Sequence, residues 1–322
     1  MEMVLEKQGL DMQSGMSDKL FVAVWMVTYN HEDYIEQAIE SIVNQKANFL
    51  YKLFIGEDCS TDNTRQICIG LKEKYPDKIH LVLNERNVGA SQNAQKIFNL
   101  CFNSGAKYVA MCEGDDYWTD PLKLQKQVEF LETNQEYVLT FHPVQILNTD
   151  GVLVEDFITK VPENYEYQET LASGNNYIHT PSVLFRNIIT SFPPEFMLSP
   201  IGDYFLYMIL TNHGKIKIMN DTMAVYRQGV GVWSDLQLPE RLLNTMFCIK
   251  LISSHFKDNK RILQLLSKQH FDLLKKLTNI EEKRTEIIDS FVIDLHQVSR
   301  RLTFGSLAKT AVIKIRRKLN KK

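Results

Sequence analysis

Residues 112–118 read Cys-Glu-Gly-Asp-Asp-Tyr-Trp and follow the apolar run "YVAM". Glu113, Asp115 and Asp116 thus stand together where a buried strand ends, and like charges this close repel and raise each other's pKa unless a cation sits between them. Hard oxygen donors in this arrangement suit Mn2+ or Mg2+, which bind through one or two carboxylates plus substrate phosphates. The competing reading is that the carboxylates favour the positive end of a helix beginning near Pro121, yet Asp120 already fills that place. A second acidic candidate, Asp203, opens "GDYFLYMIL" ahead of the stripe Phe205, Leu206, Ile209 and Leu210. A carboxylate at the mouth of a hydrophobic helix is partly desolvated, which nudges its pKa toward that of a general base; an N-cap is the plainer role. Asp221, in the turn-like "MNDTM", and Asp235 are weaker rivals.

Positioning such groups requires a scaffold, and the first 140 residues alternate two hydrophobic periods. "FVAVWMV", "YKLFIG", "KIHLVL" and "KYVAMC" read as buried strands. Between them come helical stripes: Ile35, Ala38, Ile39, Ile42 and Val43 after a possible cap at Asp33; residues 63–74 with Asp62 as N-cap; Ala94, Ile97, Phe98 and Cys101; and the helix "PLKLQKQVEFLETN" with Pro121 in its first turn. Regular alternation predicts βαβ units and a mostly parallel, Rossmann-like sheet flanked by helices, with ligands beyond the carboxyl ends of the strands. The loops "TYNHED", "EDCSTDN", "NERNVGASQN" and "EGDDYWTDP" should therefore open onto one crevice. None holds GxGxxG or GxxxxGK[ST], so a phosphate here must be held by a metal.

Composition narrows the class. The chain has 322 residues, 44% hydrophobic and 24% charged, with a formal net charge of −2, which is ordinary globular material for one large domain plus an appendage. Its longest apolar stretch, Phe21 to Val27, falls far short of the roughly 20 residues of a membrane span. Residues 1–19 read as a loose polar leader without the order of a secretory signal. Five cysteines lack CxxC spacing, and four lie among apolar neighbours, the pattern of reduced core residues in a cytoplasmic protein.

"VWMVTYNHEDYIEQAIESIVNQ", "IGEDCSTDNT", "RNVGASQNAQ" and "EGDDYWTDPLKLQKQVEFLE", in this order, resemble the family 2 glycosyltransferases. These are inverting nucleotide-sugar enzymes of bacterial polysaccharide synthesis with a GT-A fold, and the resemblance covers roughly Phe21 to Ser234. It implies the following. Glu113-Gly114-Asp115 stands at the DxD motif, with Asp115 the main metal ligand, Glu113 and Asp116 beside it, and Glu in place of the first Asp a departure. Asp203 is the base that deprotonates an acceptor hydroxyl. Asp58 reads the nucleotide base, and since a carboxylate only accepts hydrogen bonds it suits the imino N–H of uracil better than cytosine; UDP is favoured, GDP second. Thr28, Tyr29, Asn30 and Glu32 line the nucleotide pocket, Asn87, Gly89 and Asn93 face the diphosphate or donor sugar, and Arg227 serves the diphosphate. Trp118, His179 and Trp233 lie on the acceptor side, Trp233 as a stacking lid hinged by Gly229 and Gly231; His179 and His142 have equally plain structural readings. Relatives often carry a His after the segment equivalent to Arg227, where this chain has Gln228 and Gly229.

The domain reading is a GT-A domain over 20–235, a helical region over 236–299 and a tail over 300–322. That tail carries nine basic residues and no acidic one between Arg300 and Lys322, a pattern suited to peripheral contact with anionic membrane on its inner face, or simply to a solvated end. The expected partners are a nucleotide-sugar donor and a saccharide or lipid-linked acceptor. Nucleic acid is excluded by the confinement of basic charge to the terminus. Two other readings are a nucleotide-sugar-binding protein without turnover and a sugar-phosphate nucleotidyltransferase; "TYNHEDY" lacks the Gly-rich basic loop the latter needs.

Overall fold

The computed structural model describes residues 19–279; the leader apart from Lys19, the last part of the helical region and the whole basic tail lie outside the described residues. The chain opens with β1 (Val22–Thr28), α1 (Ile35–Val43), β2 (Tyr51–Glu57), α2 (Thr64–Lys74), β3 (Ile79–Leu83), α3 (Ala90–Asn103) and β4 (Tyr108–Met111). It continues with β5 (Tyr117–Trp118), α4 (Lys123–Thr133), β6 (Tyr137–Phe141), β7 (Val144–Leu147), β8 (Leu153–Glu155), α5 (Gln168–Gly174), β9 (Leu184–Arg186), α6 (Gly202–Leu210), β10 (Lys215–Ile218) and β11 (Ala224–Arg227). Three helices follow: α7 (Val232–Asp235), α8 (Leu238–His255) and α9 (Lys260–Asn279).

The main sheet runs β10-β6-β9-β4-β1-β2-β3. β4, β1, β2 and β3 are parallel, β10 is parallel to β6, and β9 lies antiparallel between β4 and β6. Strand alternation divides β1 between two cores: Ala23 and Trp25 join Phe98, Val109 and Phe185 on one face, whereas Val24 and Met26 join Ile39, Leu53, Ala110 and Leu124 on the other. Both faces are covered, as an α/β sheet requires. The segment "NNYIHTPSVLFRN" reads in sequence as a strand on the acceptor side; in the structure only Leu184–Arg186 of it is strand. It is inserted in the middle of the sheet, and Thr180–Ser182 ahead of it form a single 3-10 turn.

A second sheet, β5-β11-β7-β8, hangs on this framework and brings β11 alongside the β4–β5 loop. Helix α8 starts with a reciprocal cap between Gln237 and Glu240. Its residues Leu242, Leu243, Ile249 and Ile252, with Ile262 and Leu266 of α9, enter the same core as the sheet, so these helices are packed into the body. No helix among the described residues is long and apolar enough to cross a membrane. Two caps differ from expectation. Asp33 does not cap α1, whose first amides bond to the His31 carbonyl; Asp62 bonds the Thr64 amide from one residue ahead of the flanking Asn63. Pro121 sits in the turn before α4, where Asp120 accepts from the Leu122 amide at 2.8 Å.

Candidate active site

The loops after β1, β2, β3 and β4 lie at the carboxyl edge of the parallel strands. The Gly114 amide bonds to the Val27 carbonyl, so the acidic loop is tied to the end of β1. Ligand oxygens of Glu113, Asp115 and Asp116 all lie within 4.8 Å of one another. Asp115 and Asp116 are 6% and 1% exposed, and Asp115 Oδ1 and Asp116 Oδ2 are buried without a hydrogen-bond partner among the described residues. Burial, reinforced by Asp115 and Asp203, pushes the Glu113 carboxyl up to about 8. Burial raises Asp115 as well, against the field of His31, and raises Asp116 strongly, with Asp115 and Glu113 adding to it and Arg227 opposing. Two buried, unpaired aspartate oxygens beside the half-buried Glu113 carboxyl fit a divalent cation, which would favour the ionised form of each group.

Gly114 is required at its position. A Cβ there would meet Thr28 Oγ1 at 2.7 Å and His31 Nδ1 at 3.0 Å. On the opposite side Gly231, at φ 86°, passes so near that a Cβ would stand 3.0 Å from Asp115 Oδ2. The second sheet supplies Arg227, whose amide donates to Asp116 Oδ1 at 2.9 Å. Its guanidinium packs 4.9 Å from the Tyr34 ring and 5.0 Å from that of Tyr117, and bonds Gln37.

Asp203 lies inside the first turn of α6, behind Ile201 at the N-cap. Its Oδ1 accepts from the Tyr204 amide at 2.7 Å and its Oδ2 from Asn176 Nδ2 at 2.7 Å. Burial raises its pKa, and those two hydrogen bonds counter part of the rise. Tyr207, one turn on, is buried and pushed well above its ordinary pKa by burial and by the charges of Asp203 and Glu113, so the α6 carboxylate and the acidic loop face a common space. Beside them His179 Nε2 pairs with Asp156 Oδ2 at 3.0 Å, and the imidazole packs 4.8 Å from the Tyr226 ring. Trp233 is 37% exposed in α7, after the left-handed Gly229 and Gly231.

Several expected donor contacts are built into the scaffold instead. Asn30 Oδ1 accepts from the Thr61 amide, and Glu32 Oε2 from the Asn63 amide, so both side chains lace the β1–α1 loop to the β2–α2 loop. Asn93 is 1% exposed and spans Gly56 O and Asn84. Asp58 is 2% exposed; its carboxylate accepts from Asn84 Nδ2 and from the Val88 and Gly89 amides, each at 2.9 Å, so it seats the β3–α3 loop and has little capacity left to read a base. Trp118, expected on the acceptor side, is 4% exposed: β5 pairs with β11, its indole N–H bonds Pro181 O, and Lys123 Nζ lies 4.1 Å from its ring. Tyr29 remains exposed, and Asn87 turns back on the Gly89 amide. The residues unforeseen in the sequence are His31, Asn176, Asp156 and Tyr207; "TYNHED" contained the first, but nothing local signals its contact with Gly114. His142 is buried beside Pro143 O and serves the core.

A helix-flanked, mostly parallel sheet with an acidic cluster at its carboxyl edge defines the GT-A class of transferases, and the comparisons agree. The sequence profile of "Glycosyl transferase family 2" matches residues 23–192; the chain belongs to that family. A Mycobacterium tuberculosis protein, Rv1520, is 32% identical over 213 residues, covering 66% of this chain and 60% of its own length. TuaG of Bacillus subtilis, named for a glycosyltransferase role in teichuronic acid biosynthesis, is 33% identical over 153 residues, 48% of this chain and 58% of its own. Among solved structures, S. aureus TarS 1–349 in complex with UDP aligns with a TM-score of 0.60 at 18% identity, over 85% of this chain and 80% of that one. The Pyrobaculum calidifontis mannosyltransferase PcManGT, in complex with GDP-Man and Mn2+, aligns with a TM-score of 0.55 at 14% identity, over 94% and 81%. The chain thus spans 60% of the length of the Mycobacterium relatives, and the structural likeness is one of fold.

Proposed function

We propose that the chain transfers a sugar from a nucleoside diphosphate sugar, UDP-linked in the first instance, to a hydroxyl of a saccharide or lipid-linked acceptor in surface polysaccharide biosynthesis, with inversion at the anomeric carbon. The observation that carries this reading is the convergence of Asp203 with the Glu113–Asp115–Asp116 cluster from loops about ninety residues apart. Asp115, with Glu113 and Asp116 alongside, would hold Mn2+ or Mg2+. When bound, the cation supplies positive charge to the diphosphate oxygens as the anomeric bond breaks.

Asp203 takes the acceptor's proton while the acceptor oxygen attacks the anomeric carbon and the diphosphate leaves with the bonding electrons. Its raised pKa suits a base, and the Tyr204 amide and Asn176, each bonded to one oxygen, fix the orientation of the carboxylate. The Arg227 side chain, held by Tyr34 and Tyr117, offers positive charge beside the acidic loop. Tyr29 is exposed to stack on the base, and Trp233 to cover the acceptor. TarS in complex with UDP supports the uridine choice, TuaG the polysaccharide setting, and PcManGT with Mn2+ the metal. The setting proposed is the cytoplasm, with the basic tail resting on the inner face of the membrane.

Release of UDP from a panel of UDP-sugars, with Mn2+ and with chelator, tests the reading in wild type and in Asp203→Asn. Metal-dependent release that falls by about 10² to 10⁴ in the variant, with donor binding retained, is the expected result. Donor binding without turnover by the wild type across all donors and acceptors would favour a nucleotide-sugar-binding protein.

A further inference from the structure

We propose that Gln269, on α9, is a positioning residue for Asp203: it closes a circuit of side-chain hydrogen bonds that fixes the carboxylate taking the acceptor's proton. The inference rests on the reading of Asp203 as the base and brings the C-terminal helical region into the reaction.

The circuit starts from a residue that breaks a pattern. Along α9, Ile262, Leu266, Leu273 and Leu277 enter the core at helical spacing, and Gln269 stands in the same stripe, 4% exposed. A primary amide in that place is costly unless its polar atoms are bonded. Both are: Nε2 donates to Asn175 Oδ1, and the Tyr204 hydroxyl, which donates to the Leu171 carbonyl at 2.8 Å, also reaches Gln269 Oε1 at 3.2 Å. These two partners flank the two groups that bond the base. Tyr204 follows Asp203 and its own amide donates to Asp203 Oδ1; Asn175 precedes Asn176, whose Nδ2 donates to Asp203 Oδ2. The path from Asp203 through Tyr204, Gln269, Asn175 and Asn176 thus returns to Asp203. A cross-link that merely tied α9 to the core would have no need to end on both neighbours of one carboxylate.

Asn175 is where the brace is needed. It ends α5 at φ 78° and ψ 179°, a backbone region that glycine occupies freely and that other residues hold only when their surroundings keep them there. Gln269 grips its side chain. The next residue is Asn176, whose Oδ1 accepts from the Ile178 amide at 3.1 Å, which turns Nδ2 toward Asp203. Release of Asn175 lets the peptide between the two asparagines rotate and draws Asn176 away from the carboxylate. Burial raises the Asp203 carboxyl, and the bonds from the Tyr204 amide and Asn176 oppose that rise. Without Asn176 the base is therefore less ionised and less well aimed, whereas a base must lie within hydrogen-bond reach of the proton it takes and be locked there by its neighbours.

The test compares wild type with Gln269→Met, which keeps the side chain's volume and removes its hydrogen bonds, with Asn176→Ala, with the double variant and with Asp203→Asn, all in the full chain. Turnover is read as UDP release with Mn2+ from the UDP-sugar that wild type turns over fastest in the panel above. Gln269→Met should lower kcat about tenfold with the donor KM within about twofold, and the double variant should be no slower than Asn176→Ala, since both substitutions act on one carboxylate. Hydrogen exchange needs no turnover: the Ile178 amide should exchange about tenfold faster in Gln269→Met while the amides of β1 keep their wild-type rates, which separates local release from global destabilisation. A wild-type kcat in Gln269→Met, a loss that multiplies with that of Asn176→Ala, an unchanged Ile178 amide, or an acceleration shared equally by β1 would overturn the inference. If Asp203→Asn turns over as fast as wild type, the base reading is refuted and the inference with it; if Asp203→Asn stops turnover and Gln269→Met leaves it untouched, the base reading stands and Gln269 only packs.

Discussion

Burying three carboxylates side by side should make the metal-free protein lose stability as pH rises, and Glu113 gives the window. Burial, with Asp115 and Asp203, lifts it from an ordinary 4.5 to about 8. Between those values the folded state holds a proton that the unfolded state has released, so stability contributed by the neutral carboxyl is fully present below pH 4.5 and is lost as pH rises through 8. The ceiling on that loss is about 5 kcal/mol, a large share of the 5–15 kcal/mol that holds a domain folded; outward movement of the loop that hydrates the carboxylate would reduce it. Other groups push the opposite way in part of the range. His142 and His270, depressed by burial, favour folding as pH rises toward 6.5. Lys123, buried and lowered to about 7, does so between 7 and 10.5. Glu113→Gln leaves those groups in place, so the difference between wild type and variant reports the Glu113 carboxylate together with its effect on Asp116 and Tyr207. Urea denaturation in chelator at pH 5, 6.5 and 8 should find Glu113→Gln increasingly more stable than wild type as pH rises, and saturating Mn2+ should restore most of the wild-type deficit. A difference independent of pH, or a deficit that Mn2+ leaves untouched, would refute the argument that the cluster is ionised only at the expense of folding.

Gly231→Ala adds a Cβ 3.0 Å from Asp115 Oδ2 on a backbone at φ 86°; it should cost about 1–2 kcal/mol in stability and weaken Mn2+ binding, both read by thermal unfolding with and without the ion. Asp58→Ala removes the acceptor shared by Asn84 and the Val88 and Gly89 amides; a loss of about 1–3 kcal/mol in denaturant and faster hydrogen exchange at Val88 and Gly89 are expected, and an unchanged exchange pattern would return Asp58 to base reading. Trp233→Ala should raise the acceptor KM with donor affinity and Tm unchanged, since the indole is exposed and outside the core. A chain ending before Arg300 should lose salt-sensitive adhesion to anionic vesicles, measured by co-sedimentation.

What the sequence disclosed follows from how locally each feature is encoded. β1 to β4 are segments with uninterrupted runs of at least three apolar residues between helical stripes, and the structure has all four within a residue or two of their expected limits. β5, with two residues, and β8, with three, are too short to display a period of two. β9 was legible as a strand within "NNYIHTPSVLFRN", but not its limits or its central place, because the strand is only three residues long. The acidic loop was legible because its charges are adjacent in sequence. The roles of Asp58, Asn30 and Glu32 were not, because their partners Gly89, Thr61 and Asn63 come from other loops. Trp118 misled for the same reason: its position beside the acidic motif suggested a surface, but the pairing of β5 with β11 and the buried Lys123 turn it inward.

These displaced assignments have a common cause in how the site is built. Orphaned acceptors on Asp115 and Asp116 can persist only if the loops around them are unable to collapse and bond to them. Polar residues of the rim, among them four that sequence reasoning assigned to the nucleotide or donor (Asn30, Glu32, Asp58 and Asn93), do that work. Asn30, Glu32 and Asp62 cross-link the first two loops, and Asp58, Asn84 and Asn93 fasten the third to β2. Each amide held in this way is one fewer donor free to neutralise the acidic cluster. In the proposed reaction such rigid loops would keep the carboxylates ready for a cation, with no reorganisation required as charge develops on a departing diphosphate. The polar residues of the rim and the carboxylates of the centre are therefore one device: the first bond to one another and so leave Asp115 Oδ1 and Asp116 Oδ2 without a partner among the described residues.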